Sequence, residues 1–260
     1  KFNQDLSNWD TSNVTTIARM FNEASLFTNN DVSLTNWDTS KITSMDYTFA
    51  GTKYNSSLAD WDVSKVTNFS GMFRGSLFNH PSINNWTLNL IENVVCSQMF
   101  YLSSFNQPLS SWKTGKINNM SLMFAVCSFN KDISGWDTQS VTDMHGMFEG
   151  NNQFNQNISG WNVLNVTDTH EMFADCSAFD YSLGNWTLAK LSVADNMFDR
   201  ATAFAVSNYA NTVVAWAAKA ASLSSPNSGL RIGVAGMPQT SQIINAETLL
   251  KNQNKWNFIR

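Results

Sequence analysis

Apolar positions recur along the chain with a period of about 25 residues, from Phe2 to roughly residue 203. Each repeat opens with Phe or Tyr, places an aliphatic residue three positions before a Trp, and closes with a second Phe. Repeats 1 to 8 open at Phe2, Phe27, Tyr54, Phe78, Phe105, Phe129, Phe154 and Phe179. Eight repeats in phase predict a stack of equivalent coils in which each coil contacts its neighbours.

Five apolar columns predict the core of this stack. The tryptophans are Trp9, Trp37, Trp61, Trp86, Trp112, Trp136, Trp161 and Trp186, and the closing aromatics are Phe21, Phe49, Phe73, Phe100, Phe124, Phe148, Phe173 and Phe198. Together with the leading aromatics, an aliphatic column from Leu6 to Leu183 and a mostly β-branched column from Val14 to Leu191 complete the set. Large apolar residues held at one position in so many repeats are typical of buried sites.

Polar positions between these columns predict the local structure. The alternation at Asp5-Leu6-Ser7 predicts a short strand, Val14-Thr15 predicts a second extended piece, and the Met-Phe segment, as in 146–150, predicts one helical turn. The residue before the Trp is Asn or Gly in most repeats, which predicts a tight turn in which this residue has a φ near the positive region. The Asn column that begins at Asn3 predicts side chains that bond to the backbone of the next repeat.

The register ends near Phe204, and a different pattern follows. It predicts a helix over 208–221, a loop over 225–229, a strand over 230–234, a helix over 241–251 capped by Thr240 or Ser241, and a last strand around Trp256 and Phe258. We therefore predict an α/β repeat solenoid of about eight coils over residues 1–203, with short strands and helical turns. An α/β cap over residues 204–260 is expected to close its open end.

Composition narrows the functional classes. The chain is 43% hydrophobic and 14% charged, as expected for a folded protein, and its net charge of -4 without basic runs argues against nucleic acid as a partner. No apolar run reaches the roughly 18 residues of a membrane span.

Because the chain starts at Lys1 directly on a repeat, we expect a fragment of a longer parent. Cys127 and Cys176 lie two repeats apart, about 10 Å at strand spacing, so no disulfide is expected.

Two surfaces are left to carry function. The first is the polar side of the predicted strand, a lightly charged Ser/Thr surface formed by Asp5, Ser7, Ser33, Thr35, Ser57, Ser82, Ser110, Asp132, Ser134, Asn157, Ser159 and Ser182. The second is a pair of insertions, in repeats 2 and 4, with Asn29, Asn30, Asp31, Glu92 and Asn93 as candidate binding residues. Insertions in repeats map to loops on one face and often to recognition.

Catalytic and metal chemistry finds little support in the columns. His80, His145 and His170 fall in three repeats. His145 and His170 are equivalent positions of neighbouring repeats and could approach each other, but no third ligand is evident, so we expect surface or groove residues. Asp follows Trp in four repeats, yet Lys113 in that column opposes a calcium ladder, and turn capping is favoured. We predict no catalytic residues, no metal and no cofactor.

The repeat Phe129-Asn130-Lys131-Asp132-Ile133-Ser134-Gly135-Trp136-Asp137, followed by Val141-Thr142-Asp143-Met144-His145-Gly146-Met147-Phe148, resembles that of the BspA-like leucine-rich-repeat surface proteins. This family includes mycoplasma lipoproteins and secreted proteins of marine bacteria. The resemblance covers residues 2 to 203 and, more loosely, the tail from Trp216 to Trp256. It implies a leucine-rich-repeat-like solenoid, displayed outside the cell and used in adhesion or protein binding.

The leading hypothesis is a non-enzymatic extracellular or cell-surface protein, secreted or anchored through other parts of its parent, that mediates adhesion or protein recognition. Its expected ligand is a protein or a host or neighbour cell surface, with a glycan as a further option. An alternative is a structural subunit of a surface layer, filament or appendage, with self-association through the open N-terminal coil. A weaker alternative is carbohydrate or ice binding by the regular Ser/Thr surface.

Overall fold

The structure, a computed structural model, describes residues 2–220, 229–237 and 239–260. Its regular elements are a 3-10 helix at Pro81–Asn85, β1 (Val94–Val95), β2 (Ile117–Asn119), α1 (Val206–Ala220), β3 (Arg231–Gly233), α2 (Ser241–Asn254) and β4 (Asn257–Ile259). β1 pairs with β2 and β3 with β4, both in parallel. Within these ranges, neither helix combines the length and the apolar character needed to cross a bilayer.

Consecutive repeats are joined by parallel backbone pairing at one position in each repeat. The paired positions, in order, are Thr16, Ser44, Asn68, Val95, Asn119, Asp143, Asp168 and Val193. Ala194 pairs in the same way with Ile232 of β3. A single narrow ladder therefore runs from repeat 1 into the C-terminal segment, and each repeat lies in register beside the next.

The predicted strand around Asp5-Leu6-Ser7 is wrong. The Leu6 N–H donates to Asn29 Oδ1 at 2.7 Å, and the Ser7 N–H donates to Asp5 Oδ1 at 2.8 Å. Because side chains accept from these two N–H groups, they cannot also serve a strand partner. Pairing occurs at the second extended piece instead, at Thr16, and the equivalent of the first piece in repeat 4 is the 3-10 helix.

The Met-Phe segment is a series of tight turns and not the predicted helical turn. Arg19 and Glu23 have φ of 59° and 60°, and the same two columns are left-handed in later repeats. With this geometry, alternate N–H groups point towards the next repeat. The Arg19 N–H donates to the Asp46 carbonyl at 2.8 Å, and the Phe21 N–H donates to the Thr48 carbonyl at 3.0 Å. The positive φ predicted for the residue before each repeat Trp is wrong. None of these eight residues has a positive φ, and left-handed residues lie in the columns of Arg19 and Glu23 instead.

The five apolar columns form the core in repeats 2 to 8, as predicted, whereas Phe2 and Trp9 of repeat 1, which the same columns predicted to be buried, are exposed. In repeats 2 to 8 the leading aromatics, tryptophans and closing phenylalanines are buried. Neighbouring rings of one column lie nearly parallel, as for Phe100 and Phe124 with centroids 5.6 Å apart. Each Trp indole N–H from Trp37 to Trp186 donates to the carbonyl of the aliphatic residue in the preceding repeat. A polar atom inside the core is satisfied in this way in every one of these layers.

The predicted Asn ladder is also confirmed. The backbone N–H of Asn79 donates to Asn55 Oδ1 at 2.8 Å, and the same bond recurs from Asn106 to Asn79 and from Asn130 to Asn106. The last rung is formed by Ala205 N–H, which donates to Asp180 Oδ1 at 2.7 Å. These side chains are thus structural.

The C-terminal segment forms the last layer of the molecule. Both predicted helices are confirmed with small shifts in their bounds, Thr240 caps α2 through its hydroxyl, and strands occur at both predicted places. Residues 225–228 of the predicted loop lie outside the described residues. Trp216 of α1 donates its indole N–H to the Leu183 carbonyl at 3.0 Å, which repeats the bond made by the tryptophan column. The helix therefore substitutes for a ninth repeat on one side, and β3 does so at the ladder.

The three cysteines are buried free thiols. Cys127 donates to the Phe105 carbonyl, Cys176 donates to the Asn151 carbonyl, and Asn151 occupies their column in the repeat between them. The Asn151 amide donates to the Phe129 carbonyl at 3.0 Å. Burial raises the pKa of Cys176 to about 12, so this thiol stays protonated near neutral pH. These positions serve the core.

Candidate functional site

Six of the twelve residues of the predicted Ser/Thr surface cap local turns by accepting from the backbone N–H two positions on, namely Asp5, Ser33, Ser57, Asp132, Asn157 and Ser182. Asp132 Oδ1 accepts from Ser134 N–H at 2.9 Å, and Asn157 Oδ1 accepts from Ser159 N–H at 3.1 Å. The backbone N–H of Ser134 is also the main cause that holds the pKa of Asp132 below its ordinary value. Half of the surface is therefore committed to local structure and does not line a strand.

Its members also differ in exposure. Asp5, Ser110, Asp132, Ser134 and Asn157 are exposed, whereas Ser33, Thr35, Ser57, Ser159 and Ser182 are partly buried. Ser7 and Ser82 are buried, and Ser82 Oγ accepts from Leu58 N–H at 3.1 Å. A uniform binding strip along all twelve residues is thus not what the tertiary structure forms.

The first insertion is mainly structural. Asn29 is fully buried, and both ends of its amide are hydrogen-bonded. Its Oδ1 accepts from Leu6 N–H, and its Nδ2 donates to the Val32 carbonyl at 2.9 Å. Asn29, Asn30 and Asp31 all have left-handed backbone, with φ of 56°, 53° and 61°. Asn30 and Asp31 are exposed as predicted for a binding loop, but the role predicted for Asn29 is wrong.

The second insertion projects two aliphatic side chains into solvent. Leu90 is 54% and Ile91 85% exposed, beside the exposed Glu92 and Asn93. Asn89 Oδ1 accepts from the N–H groups of Ile91 and Glu92 at 2.9 and 3.0 Å, which fixes the loop. Sequence reasoning selected the polar pair and missed the apolar pair. Its signal was present, since Leu90 and Ile91 fall in added residues that belong to no core column.

A groove of about 600 Å³ lies beside this loop. Its lining combines an apolar wall with charged and hydroxyl groups: Leu90, Ser110, Trp112, Lys113, Thr114, Gly115, Lys116, Gly135, Asp137 and Gln139. Asp137 is engaged within its own turn, where Oδ1 accepts from Gln139 N–H at 3.1 Å. Lys113 and Lys116 carry two positive charges against the single negative charge of Asp137, so the groove has a positive edge, suited to an apolar segment that carries a carboxylate.

A second groove, of about 430 Å³, forms where α1 approaches repeats 7 and 8. It brings together three predicted residues, Asn157, Ser159 and Ser182, with Tyr181, Asn208 and Asn211. The hydroxyls of Ser182 and Thr212 of α1 lie 3.2 Å apart. Only the docking of α1 makes this part of the predicted surface concave.

The aspartates that follow tryptophan cap turns, as predicted. Asp10 Oδ1 accepts from Ser12 N–H at 3.0 Å, and Asp38 Oδ1 accepts from Ser40 N–H at 3.0 Å. The Ser40 hydroxyl and backbone N–H are the main causes that lower the pKa of Asp38. Each carboxylate is thus directed into its own turn and away from a shared cation.

Comparison with known proteins gives one family match. The family model described as "Mycoplasma protein of unknown function, DUF285" matches residues 1–33, 29–127 and 95–212. No curated protein matches the chain significantly. No solved structure does so either.

Proposed function

The chain belongs to the DUF285 family, which is related to the BspA-like proteins, and from this premise we propose that it is a non-catalytic recognition protein of the BspA-like surface type. Its repeats over 1–203 act as a leucine-rich-repeat-like solenoid, and residues 204–260 act as its cap. The parallel ladder from Thr16 to Val193 and the stacked aromatic columns support this proposal. The continuation of the ladder into β3 supports the cap.

Leu90 and Ile91 are the observation that carries the recognition role. Exposed aliphatic side chains on a loop held by Asn89, next to a polar groove, have the composition of a protein-binding patch. Burying each of them against a partner contributes about 1.5–3 kcal/mol. Because the loop is fixed by hydrogen bonds and by the buried Leu88 and Val94, little ordering entropy opposes that gain.

The groove lining is more suited to binding than to catalysis. Among the described residues that line it are lysines, hydroxyls and one acid, but no histidine or cysteine that could act as a base or nucleophile beside them. Thr114 Oγ1 is engaged as a donor to the Asp137 carbonyl at 3.0 Å. These groups orient a partner and do not form a catalytic set.

The double variant Leu90→Ser/Ile91→Ser is expected to weaken protein binding by about 100-fold or more, since it removes both apolar contacts and keeps the loop's caps. The purified 260-residue chain is screened against arrays of secreted proteins and membrane-protein ectodomains, and hits are titrated by surface plasmon resonance. Leu77→Ser/Leu164→Ser is the matched control, because Leu77 is exposed to the same 54% as Leu90.

The outcomes separate the candidate functions. Equal loss in both double variants, or an array without any protein hit, contradicts the recognition role of this loop. Hits on a parallel glycan array that are insensitive to both changes favour the carbohydrate alternative, and shaping of growing ice crystals by the chain favours ice binding.

A structural subunit of a surface layer, filament or appendage remains the alternative. Concentration-dependent oligomers of the parent protein in sedimentation velocity support this alternative, and a monodisperse monomer at high concentration contradicts it.

We also propose display outside the cell, secreted or anchored through other parts of the parent. The family relationship supports this location. When intact cells that express the parent protein are treated with a membrane-impermeant biotin ester, lysines of these repeats are expected to be labelled. Labelling only after lysis contradicts display.

A further inference from the structure

Two histidines lie stacked on the outer side of repeats 6 and 7. The rings of His145 and His170 have centroids 4.8 Å apart and an interplanar angle of 4°. Both rings are partly exposed, so that an ion from solvent can reach them. The parallel pairing of Asp143 with Asp168 in the ladder sets this separation, because each histidine follows its ladder residue by two positions.

A carboxylate orients each ring. His145 Nδ1 lies 2.9 Å from Asp143 Oδ1, and His170 Nδ1 lies 2.8 Å from Asp168 Oδ1. The same carboxylate oxygens accept from the backbone N–H groups of the two histidines, which fixes the acids in turn. Histidines that ligate metals commonly have such a carboxylate partner on the ring nitrogen that does not bind the ion, and Asp143 is placed to play this part for His145. An ion that binds both His170 and Asp168 would take the place of the hydrogen bond between them.

Asp168 supplies the third ligand that the sequence did not reveal. One potential ligand atom from each of His145, Asp168 and His170 lies within 4.8 Å of the others. A tetrahedral zinc ion with bonds of about 2.0–2.1 Å needs nitrogen atoms about 3.3 Å apart. The side chains of His145 and His170 are partly exposed, so rotations about their χ angles can close the remaining ~1.5 Å.

The surroundings of the pair are acidic. The pKa of Glu149 is raised, mainly by burial and then by the negative charges of Glu171 and Asp175. His170 and His145 act in the opposite direction and lower it. Arg200 pairs with Asp175 and neutralises part of this charge. A cation bound at the histidines would face net negative charge from two repeats.

We propose that His145, His170 and Asp168 bind one divalent transition-metal ion of the zinc, cobalt or nickel type, with water in the remaining positions and Asp143 as a positioning residue. Two imidazoles select such ions over calcium or magnesium, which prefer oxygen ligands. The ion would clamp repeat 6 to repeat 7. This site is independent of the recognition loop at Leu90 and Ile91.

Isothermal titration of the 260-residue chain with zinc chloride, and titration with cobalt chloride followed by visible absorption, test the proposal. One equivalent is expected to bind, with affinity weakened about tenfold or more in His145→Ser, His170→Ser and Asp168→Asn, and about tenfold in Asp143→Asn. Repeats 3, 4 and 5 carry serine in the histidine column, at Ser70, Ser97 and Ser121, so the repeat accepts serine at this position.

Asp46→Ser is the matched control, since Asp46 occupies the histidine column in repeat 2 and also carries charge. It should bind zinc like the unchanged chain. Equal zinc affinity in the histidine variants, calcium binding of the same strength, or no saturable binding at all would overturn the proposal. Circular dichroism of each variant identifies one that fails to fold, and the ring resonances of His145 and His170, followed by NMR during zinc titration, then provide the decisive readout.

Discussion

Replacement of Phe124 by alanine is expected to lower the free energy of unfolding by about 3–5 kcal/mol. Phe124 is fully buried, and its ring lies 4.0 Å from Phe129 in the next repeat, 5.6 Å from Phe100 and 6.0 Å from Phe148, measured between centroids. The cavity would interrupt two stacks at once, and the close-packed backbone ladder on either side prevents the repeats from collapsing into it.

Urea unfolding followed by tryptophan fluorescence and circular dichroism measures this effect. Because a repeat contacts its nearest neighbours, a weakened layer in the middle is also expected to separate the array into two transitions. Phe2→Ala is the control at an exposed phenylalanine of the leading column, and its 46% exposed ring should contribute about 1 kcal/mol or less. A Phe124→Ala effect no larger than that of Phe2→Ala would contradict the stacked core.

Substitution of Gly233 by alanine is expected to detach the C-terminal segment, at a cost of about 3 kcal/mol, the upper end of what overpacking typically costs. A Cβ at Gly233 would overlap the backbone N and Cα atoms of Asn196. The Gly233 carbonyl accepts from Phe198 N–H at 3.0 Å, and its own N–H donates to the Ala194 carbonyl at 3.2 Å. A shift that relieves the overlap therefore breaks the bonds by which β3 continues the ladder.

Limited proteolysis reports on this detachment, and so does a red shift in the total tryptophan fluorescence, since Trp216 is buried against repeat 8. We expect rapid cleavage within residues 204–260 of the variant, with the earlier repeats still folded. Gly160→Ala is the matched control, because nothing lies within 4 Å of the added Cβ there. If both variants resist protease equally, the close approach of β3 to repeat 8 does not hold the segment.

The apolar columns were the part of the structure most open to sequence reasoning. A side chain such as Phe100 or Trp136 repeats at one geometric position, so its burial follows from the pattern alone. The Asn ladder and the Asp10 turn cap could be predicted for the same reason, because an amide or carboxylate beside a turn has few local partners. The C-terminal helices followed from composition and from the Thr240 cap.

The errors share a cause. Alternation at Asp5-Leu6-Ser7 suggested a strand, yet a side chain 23 residues away, Asn29, takes the Leu6 N–H. The left-handed columns at Arg19 and Glu23 accept many residue types, so composition did not mark them. In both places the hydrogen bonds between repeats determine the backbone, and local propensity is too weak to oppose them.

The sequence by itself determined most of the residues that form the core, how many repeats exist and where the pattern ends, because an apolar pattern repeated eight times leaves a periodic record. Only the tertiary structure decided which polar residues are free to act. It buried Ser82 and Asn29, exposed Ile91, made a groove of Asn157 and Ser182 through α1, and placed Asp168 beside two histidines. Such sites depend on distances between repeats and on caps that compete for each polar group, and neither is recorded in a one-dimensional pattern.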